Sequence, residues 1–586
     1  MKRRDFIKGA LPLSLTSLAL GGIPVRAFAG SLMSQSFSCA DINDRVLVLI
    51  QLHGGNDGLN TLIPVDQYAT YKNLRPIIGI QDFGSRRYID ADLSLPVQDQ
   101  IGLHPDMVGL KSLYDEGFVN FVQSVSYPDN NGSHFRGTDI WLTGNDGTSP
   151  DEAFGSGWFG RYLDHYYPGF PTDYPNATMP DPPGLEFGSH IVSLGFHREV
   201  GIPMGLTIEN DPTGLFGLIS SVGGVLPSNF PLSDYGEELR FLTEMEQSTQ
   251  IYAPRLTNVY NQGANTVGVN YPIVYHTLTN NNYYNQLSPQ LKTVARLLSG
   301  GSKTKVFLTR MTGFDTHANQ SIAGKPSFGG HSALIYHLSS SIKAFMDDLK
   351  GLGIADRVVV ATFSEFGRQV AENGEWGTDH GTSAPMIVVG KGVKGGVTGT
   401  NPNLSSLQNN NFTSFQHDYR RVWTTLTQDW LGGNNGTLQT VGFNDFINQK
   451  LDLINDNYID AQGNAVDFVA DLSCDETPYD PNSNPTSVGE ELAHQPKLSF
   501  GLFPNPATDR VTITLESAQM VPATLAIYNL AGVQMREYDL RLFEGENMQE
   551  LNISGLSSGH YLVRVIANKG SHLNAFNLPA QKLVVR

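Results

Sequence analysis

Cysteine is almost absent from the 586-residue sequence, which contains only Cys39 and Cys474. Two cysteines exclude a disulfide-rich scaffold and a metal centre built from cysteine thiolates. A single bridge between Cys39 and Cys474 would suit an oxidising compartment. Lipid attachment at Cys39 is a weaker alternative, because Ser36-Phe37-Ser38 is a poor lead-in for it.

Positive charge is also scarce. The chain has 39 Lys and Arg against 57 Asp and Glu, which leaves a formal net charge of −18. Binding to a phosphate backbone needs clustered lysine and arginine, so this balance argues against nucleic acid as a partner.

Beyond the amino terminus no apolar run reaches the roughly 18 residues of a membrane-spanning helix. We therefore expect a soluble mature protein.

Residues 1–29 have the pattern of a cleavable export signal. An apolar run from Ala10 to Val25 follows a basic start and ends in an A-x-A cleavage site at Ala27-Phe28-Ala29. Prolines and glycines interrupt the run, so a membrane anchor is the weaker interpretation. The string Arg3-Arg4-x-Phe6-Ile7-Lys8 resembles a twin-arginine signal. This resemblance implies the twin-arginine export machinery as a partner, which passes folded proteins that often carry a metal or cofactor.

Five short apolar runs have the β-branched and aromatic content of buried strands and predict a mainly parallel sheet. Amphipathic helical patterns lie between them, such as the one from Leu334 to Leu349 that ends at Gly351. Strands alternating with helices predict an α/β fold, a three-layer sandwich with helices on both faces of the sheet. The five runs are Val46–Leu52, Phe118–Val125, Lys305–Met311, Arg357–Phe363 and Pro385–Val389.

Composition divides the rest of the chain. The main domain is predicted at residues 43–474, and within it residues 145–286, rich in Pro, Gly, Asn and Tyr, are interpreted as an insertion or cap over the sheet. Residues 475–496 are polar and proline-rich without periodicity, which is typical of a linker. Residues 497–586 contain short alternating strands and predict a small all-β sandwich.

Three motifs of this last segment are, in order, Phe503-Pro504-Asn505-Pro506-Ala507, Ile527-Tyr528-Asn529 and Gly555-Leu556-Ser557-Ser558-Gly559-His560-Tyr561. They resemble the type A C-terminal sorting domain of type IX secretion (T9SS) substrates of the Bacteroidetes. The resemblance implies the type IX translocon and its sortase as partners, and passage through the periplasm to the cell surface or the extracellular space. A carbohydrate-binding β-sandwich is the alternative.

Clusters of Asp, Glu, His and Ser lie at the ends of the five runs, mostly just beyond their carboxyl ends, where open α/β sheets bind ligands. Asp315 and His317 are two residues apart, so their side chains point to the same side of an extended strand end. Asp57, Glu365 and His380 arrive from other loops. Carboxylate oxygen with imidazole nitrogen suits zinc or manganese, and calcium less well. The clusters therefore predict a divalent metal site.

Ser133 is the candidate nucleophile. It follows Gly132 at a predicted helix start, where an exposed hydroxyl would lie at the positive end of the helix. Arg368 or Arg136 would then clamp the anionic group of a substrate. Each residue also has a plainer interpretation, since such a serine is commonly an N-cap and Asp57 lies in a turn-forming sequence. The convergence of five clusters favours the functional interpretation.

Five motifs follow one another along the chain: Gly54-Gly55-Asn56-Asp57-Gly58-Leu59-Asn60, Ser133-His134-Phe135, Gly313-Phe314-Asp315-Thr316-His317, Ser364-Glu365-Phe366-Gly367-Arg368 and Asp379-His380-Gly381. In this order they resemble the motifs of the DUF1501 family over roughly residues 43 to 450. That family is similar to the alkaline phosphatase and sulfatase superfamily, with its two metals and its Ser, Thr or Cys nucleophile. The resemblance implies Asp57 as the first-strand ligand and Ser133 as the nucleophile. It also implies Asp315, His317 and His380 as ligands.

The chain departs from the superfamily pattern at two places. Glu365 and Phe366 stand where an Asp-His pair is expected, so an apolar ring replaces one ligand of the second metal. The spacing of Asp315 and His317 is also tighter than the usual Asp-x-x-x-His. These departures count against a second metal, and His134 is the candidate substitute ligand. Further candidate ligands are Asp379 and His53, whereas His104 and His331 are interpreted as structural.

Together these patterns predict a secreted metal-dependent hydrolase that acts on a small anionic ester, of phosphate or sulfate, through Ser133. The alternative is a surface protein that keeps the fold and binds a glycan or a partner without turnover. Phe366 is the feature that favours this alternative.

Overall fold

The structure is a computed structural model of the protein. Several predicted features lie outside the residues that it describes, namely Cys39, Cys474, the linker 475–496, and residues 1–29 apart from Ala19–Leu20 and Ile23–Pro24, which pair as short antiparallel strands. The described residues are 19–20, 23–24, 44–148, 155–171, 173–188, 192–199, 203–215, 226–227, 230–231, 233–276, 282–322, 324–472, 500–503, 507–517, 521–529, 534–542, 545–567 and 581–585.

The chain divides into two compact units. The first comprises residues 1–216 and 248–478, and the second comprises residues 217–247 and 479–586. Within the described residues, no helix is both long enough and apolar enough to cross a bilayer.

A nine-stranded sheet, counted over the described residues, forms the centre of the first unit. Its strand order is β8-β2-β7-β6-β1-β5-β3-β4, and β9 pairs with β2. Only β7 runs antiparallel to its neighbours. The strands are β1 (Val46–His53), β2 (Val119–Ser126), β3 (Gly184–Phe187), β4 (Gly205–Ile208), β5 (Val306–Thr312), β6 (Val358–Phe363), β7 (Ala384–Val389), β8 (Gly396–Thr398) and β9 (His417–Asp418).

The register aligns the carboxyl ends of the three central strands. Thr312 of β5 lies opposite His53 of β1, and Phe363 of β6 lies opposite Gln51. Every residue of β1 before His53 is buried, as expected for a parallel strand that is covered on both faces. The predicted α/β fold with a mainly parallel sheet is therefore confirmed.

Helices connect and cover these strands. The predicted amphipathic helix is present as α8, whose Leu338, Ile342, Phe345 and Leu349 are buried. The helices of the described residues are α1 (Gly58–Thr61), α2 (Tyr68–Leu74), α3 (Val108–Asp115), α4 (His134–Thr143), α5 (Trp158–Tyr166), α6 (Asp234–Gln262), α7 (Leu287–Ser299), α8 (Gly330–Gly351), α9 (Tyr419–Thr425) and α10 (Asn435–Val441).

Residues 145–286 differ from the expected insertion or cap in one respect. They contribute β3 and β4 to the central sheet itself, next to β5. Each of these strands has only four residues and contains a glycine, so neither produces an apolar run long enough to be recognised in the sequence. The segment also supplies α5 and the long helix α6, which contains Pro254.

The described residues after 499 form two antiparallel sheets. The first sheet has the order β10-β11-β14 and the second has the order β13-β12-β15-β16. Buried side chains that include Ile513, Leu525, Ile527 and Val563 form their core. The strands are β10 (Phe500–Phe503), β11 (Arg510–Ser517), β12 (Val521–Asn529), β13 (Gln534–Leu542), β14 (Gly545–Asn552), β15 (Gly559–Ala567) and β16 (Gln581–Val585).

Candidate metal centre

The strand order brings several polar loops to one edge of the central sheet. Asp315 and His317 follow β5, and His134 begins the helix that follows β2. Both strands end at that edge, because β2 and β5 run in the same direction. His380 precedes β7, and because β7 is antiparallel its amino end lies at the same edge. Because β7 is antiparallel, His380, which precedes it, lies at the same edge as residues that follow the parallel strands.

Three side-chain atoms that could bind a metal ion, here called donor atoms, lie within about hydrogen-bond distance of one another at this edge. The Nε2 atoms of His317 and His380 are 2.9 Å apart, and each is 3.1 Å from Oδ1 of Asp315. Nε2 of His134 is 3.5 Å from Oδ2 of Asp315. Donor atoms of His134, Asp315 and His380 all lie within 4.8 Å of one another. The structure thus brings together three of the five predicted ligands and the candidate substitute His134.

Each of the three histidines in this cluster has its Nδ1 atom held by a hydrogen-bond acceptor. Nδ1 of His317 lies 3.0 Å from Oδ1 of Asp379, and Nδ1 of His380 lies 2.8 Å from the carbonyl oxygen of Gly132. Nδ1 of His134 lies 2.7 Å from Oε1 of Glu365. These acceptors take a hydrogen bond from Nδ1 of each ring and direct every Nε2 toward the cluster.

Asp315 supplies the negative charge of the cluster. Burial raises the pKa of its carboxyl, but the hydrogen bonds from Arg368 and His380 outweigh burial and lower the pKa to about 2. Burial also lowers the pKa of His380, against the opposite effect of Asp315. The carboxylate of Asp315 is therefore ionised at neutral pH.

Arg368 holds the loops together and is not placed to clamp a substrate anion. Its side chain is buried, and its guanidinium donates to the carboxylate of Asp315 at 2.7 Å. The other bonds go to the carbonyl oxygens of Gly55, Phe314 and Thr378 at 2.9 to 3.0 Å, and to that of Gly54. A guanidinium enclosed by carbonyl oxygens in this way is out of reach of an anion in solvent.

Asp57 is not part of the cluster, in contrast to the expectation from the first motif. Its carboxylate is buried and accepts two hydrogen bonds from Nη1 of Arg75, at 2.6 and 2.8 Å. Nε2 of Gln320 donates to the same carboxylate. Burial alone would raise the pKa of Asp57, but Arg75 and the neighbouring donors lower it below its ordinary value. The carboxylate of Asp57 is therefore directed toward Arg75 and Gln320 and away from the donor atoms of the cluster.

Glu365 lies behind His134. Its buried Oε1 accepts hydrogen bonds from the backbone N–H of Gly54 and from His134, each at 2.7 Å, so it orients the imidazole. Gly54 has a φ of +125°, and a Cβ there would lie 2.2 Å from the backbone nitrogen of Asp315. Only glycine allows this close approach. Glu365 thus supports a candidate ligand and does not itself meet the donor atoms of the cluster.

Two ring systems border His134. The ring of Phe366 packs 4.8 Å from that of His134 and 4.6 Å from that of His380. His53, at the end of β1, stacks on His134 with ring centroids 5.8 Å apart. Phe366 therefore forms an apolar wall at the position where the superfamily pattern places a ligand.

Ser133 is the N-cap of α4, and its Oγ accepts from the backbone N–H of Arg136 at 3.4 Å. Arg136 lies in the first turn of this helix. The residue before Ser133 is Gly132, which contacts His380, and the residue after it is His134, which belongs to the cluster. Ser133 is thus adjacent in sequence to His134, and its hydroxyl lies at the positive end of a helix.

Sequence reasoning missed the buried residues behind the ligand loops. Gln320 joins Asp57 to the hydroxyls of Thr316 and Thr378. Arg75 lies outside every motif. The one sign of it in the sequence was Asp57, because an aspartate that becomes buried requires a cationic partner.

Comparison with protein families identifies two segments. Residues 293–418 match the family described as "Protein of unknown function (DUF1501)", and this segment contains Asp315, His317 and His380. Residues 501–576 match the "Secretion system C-terminal sorting domain". No curated protein matches the chain. A DUF1501 segment and a sorting domain are therefore found as predicted, whereas the extent of the DUF1501 domain over residues 43–474, the twin-arginine signal and the wider superfamily stay predictions.

Solved structures resemble the chain only distantly. Dimeric latent PorU of Porphyromonas gingivalis is 19% identical with a TM-score of 0.14, over 15% of this chain and 9% of PorU. A Bacteroides thetaiotaomicron protein of glycosaminoglycan metabolism is 8% identical with a TM-score of 0.30, over 85% of this chain and 89% of its own. The lipoteichoic acid synthase LtaP of Listeria monocytogenes is 9% identical with a TM-score of 0.24, over 61% and 67%. At these TM-scores none of the likenesses supports a conclusion about activity.

The chain spans only a small part of PorU, so nothing about that protein's role transfers to it. The family matches support firmer conclusions. The chain contains a DUF1501 domain, and its type IX sorting domain directs it to the cell surface or the extracellular space.

Proposed function

We propose that this exported protein is a metal-dependent hydrolase of phosphate or sulfate esters with a single metal centre. Asp315, His317 and His380 would hold the ion, and His134 is the fourth donor. The proposal depends on one observation, the convergence of the Nε2 atoms of His317 and His380 on the carboxylate of Asp315. Imidazole nitrogen together with carboxylate oxygen is a donor set that binds zinc or manganese.

The donor set fits such an ion. The Nδ1 atom of each histidine bonds to a carboxylate or a carbonyl, which is the outer arrangement that orients metal-binding imidazoles. In addition, Nε2 of His134 is buried and has no hydrogen-bond partner among the described residues, as a free ligand atom would be. Nitrogen-rich coordination disfavours calcium, which prefers oxygen ligands.

The donor types do not separate zinc from manganese, because both ions bind imidazole nitrogen and carboxylate oxygen.

A divalent cation would supply charge stabilisation and would lower the pKa of a nearby hydroxyl or water. The chain itself places Ser133 between Gly132 and His134, at the first turn of α4. The positive end of this helix favours an anionic group beside the serine hydroxyl. Ser133 is the nucleophile in this proposal, and the helix end takes the role that the sequence assigned to Arg368 or Arg136.

Phe366 is the observation that supports a second candidate function. Its ring packs against both His134 and His380 where a further ligand is expected, so a two-metal mechanism has no support here. A centre that binds metal or a glycan without turnover is the rival. The two functions differ in whether an ester is hydrolysed.

Metal analysis by inductively coupled plasma mass spectrometry tests the centre. We expect about one manganese or zinc ion per chain in the purified full-length protein, and loss of that ion in His317→Ala. His165→Ala is the matched control, because His165 lies on α5 and contacts threonines of α10. Metal far below one equivalent in the unaltered protein, or equal metal in both variants, would refute the proposed centre.

Turnover of aryl phosphate and aryl sulfate esters tests the chemistry. We expect hydrolysis by the metal-loaded protein and loss of turnover in Ser133→Ala, with the metal content unchanged. A protein that holds its metal and hydrolyses neither ester would establish the binding function instead. Hydrolysis at the same rate by Ser133→Ala would remove the serine from its proposed role.

A further inference from the structure

A buried chain of polar side chains lies behind the two loops that carry the candidate ligands. Arg75 begins it, with Nη1 bonded to both oxygens of Asp57 and to Oδ1 of Asn60. Its Nε and Nη2 donate to the carbonyl oxygens of Val370 and Gln369, at 2.6 and 2.8 Å. The charge pair is thereby fixed to the backbone that follows Arg368.

Gln320 continues the chain toward the centre. Its Nε2 donates to Oδ2 of Asp57, and its Oε1 accepts hydrogen bonds from two hydroxyls, Thr316 at 3.1 Å and Thr378 at 2.8 Å. Gln320 is 1% exposed and Thr378 is fully buried. The backbone N–H of Thr378 also donates to the carbonyl of Thr316, at 3.1 Å.

The two threonines lie close in sequence to the candidate metal ligands. Thr316 lies between Asp315 and His317, and Thr378 is two residues before His380. One amide oxygen thus links the loop after β5 to the loop before β7. Because those loops supply donor atoms from different elements of the fold, their relative position sets the distance between the two Nε2 atoms.

The charge of Asp57 determines which way the side-chain amide of Gln320 points. An ionised carboxylate accepts hydrogen bonds only, so it requires the NH₂ group of Gln320. The oxygen of the amide then faces the threonine hydroxyls. The opposite orientation would bring two acceptors together in a buried place, which is costly.

We propose that Gln320 is a positioning residue of the metal centre and that Asp57 is its buried anchor. The inference rests on the proposed function, and it replaces the ligand role that the first motif implied for Asp57. Gln320 touches no donor atom of the centre among the contacts of the described residues. It acts by holding Thr316 and Thr378, and through them the loops of Asp315, His317 and His380.

Titration of the full-length, metal-free protein with Mn²⁺ tests the inference. We expect the dissociation constant for Mn²⁺ to rise about 10- to 100-fold in Gln320→Leu, the usual effect of removing an outer partner of a metal site. Gln428→Leu is the matched control, because Gln428 is also buried and bonds to Asn435. We expect this control to bind Mn²⁺ like the unaltered protein.

A pair of substitutions at Thr378 separates positioning from general stability. Thr378→Val removes the hydroxyl without changing the volume and should weaken Mn²⁺ binding as Gln320→Leu does. Thr378→Ser keeps the hydroxyl and should restore binding to within about 3-fold of the unaltered protein. With Co²⁺ in the site, the visible absorption band should shift in Thr378→Val and stay in place in Thr378→Ser.

The outcomes distinguish the two proposals. If the unaltered protein binds no Mn²⁺, the proposed function itself fails and the positioning role falls with it. If the unaltered protein binds Mn²⁺ and both Gln320→Leu and Thr378→Val bind equally well with an unshifted Co²⁺ band, the positioning role is refuted while the metal centre stands. If Gln320→Leu does not fold, the Thr378 pair decides.

Discussion

Acid should destabilise the main domain through a histidine that is not a candidate ligand. His331 is 2% exposed at the start of α8, where its Nε2 lies 3.3 Å from Oδ1 of Asn56 and its ring packs edge-on against His104. Burial lowers the pKa of His331 to about 4, although the nearby carboxylate of Asp57 opposes the shift and Arg75 and Arg368 add to it. The ring is therefore neutral in the folded protein over most of the acid range.

The sign of the effect follows from the two pKa values. The unfolded chain protonates this histidine below an ordinary pKa of about 6.5, whereas the folded chain does so only below about 4. Between about pH 4 and pH 6.5 unfolding therefore takes up a proton, and the free energy of unfolding falls as the pH falls through this range. At pH 5 the loss from His331 alone is about 2 kcal/mol relative to pH 7.5.

Urea unfolding followed by tryptophan fluorescence, at pH 7.5 and pH 5.0, measures this loss. We expect His331→Gln, which cannot titrate, to lose about 2 kcal/mol less than the unaltered protein over the same interval. The difference between the two proteins cancels the titrating groups that do not interact with His331. Equal losses in both proteins, or an unaltered protein that becomes more stable at pH 5.0, would refute the assignment of His331 as buried and neutral.

Two further predictions concern the buried ion pair and the metal. Arg75→Met should lower the free energy of unfolding by about 3–5 kcal/mol, because it leaves the charge of Asp57 buried and unpaired. Lys111→Met, which breaks the partly exposed pair with Asp115, should cost less than about 1 kcal/mol; equal costs in urea unfolding would contradict the first prediction. Mn²⁺ at about 100 times its dissociation constant should add about 2.7 kcal/mol to the stability of the unaltered protein and nothing to that of His380→Ala. Thermal melting with and without a chelator measures this, and an equal gain in both would exclude His380 as a ligand.

The central strands were predictable because of where they lie in the sheet. β1, β5 and β6 are neighbours in a parallel array and are covered on both faces, so most of their residues are apolar and the runs mark them to within about one residue. β3 and β4 lie toward one edge of the same sheet and have four residues each. Four residues are too few to define a period, and these strands could be found only from their pairing in three dimensions.

The candidate site was predictable in part for a similar reason. Residues after adjacent parallel strands must meet, so the encounter of Asp315 and His317 with other polar loops followed from the strand assignment. The direction of each side chain did not follow. Asp57 stands directly before α1 and points into the interior, where Arg75 from the end of α2 meets it, and no pattern within the motif records that partner.

The same reasoning bears on how such a centre can be recognised in a sequence. Each candidate histidine depends on an acceptor from a different part of the chain, namely Asp379 for His317, the carbonyl of Gly132 for His380, and Glu365 for His134. A chain that retained the three histidines and lost these acceptors would keep the ligand types without the tautomers that expose Nε2. The ligand motif alone is therefore insufficient evidence for a metal centre, and the acceptors that orient the rings are the more selective sign that one can form.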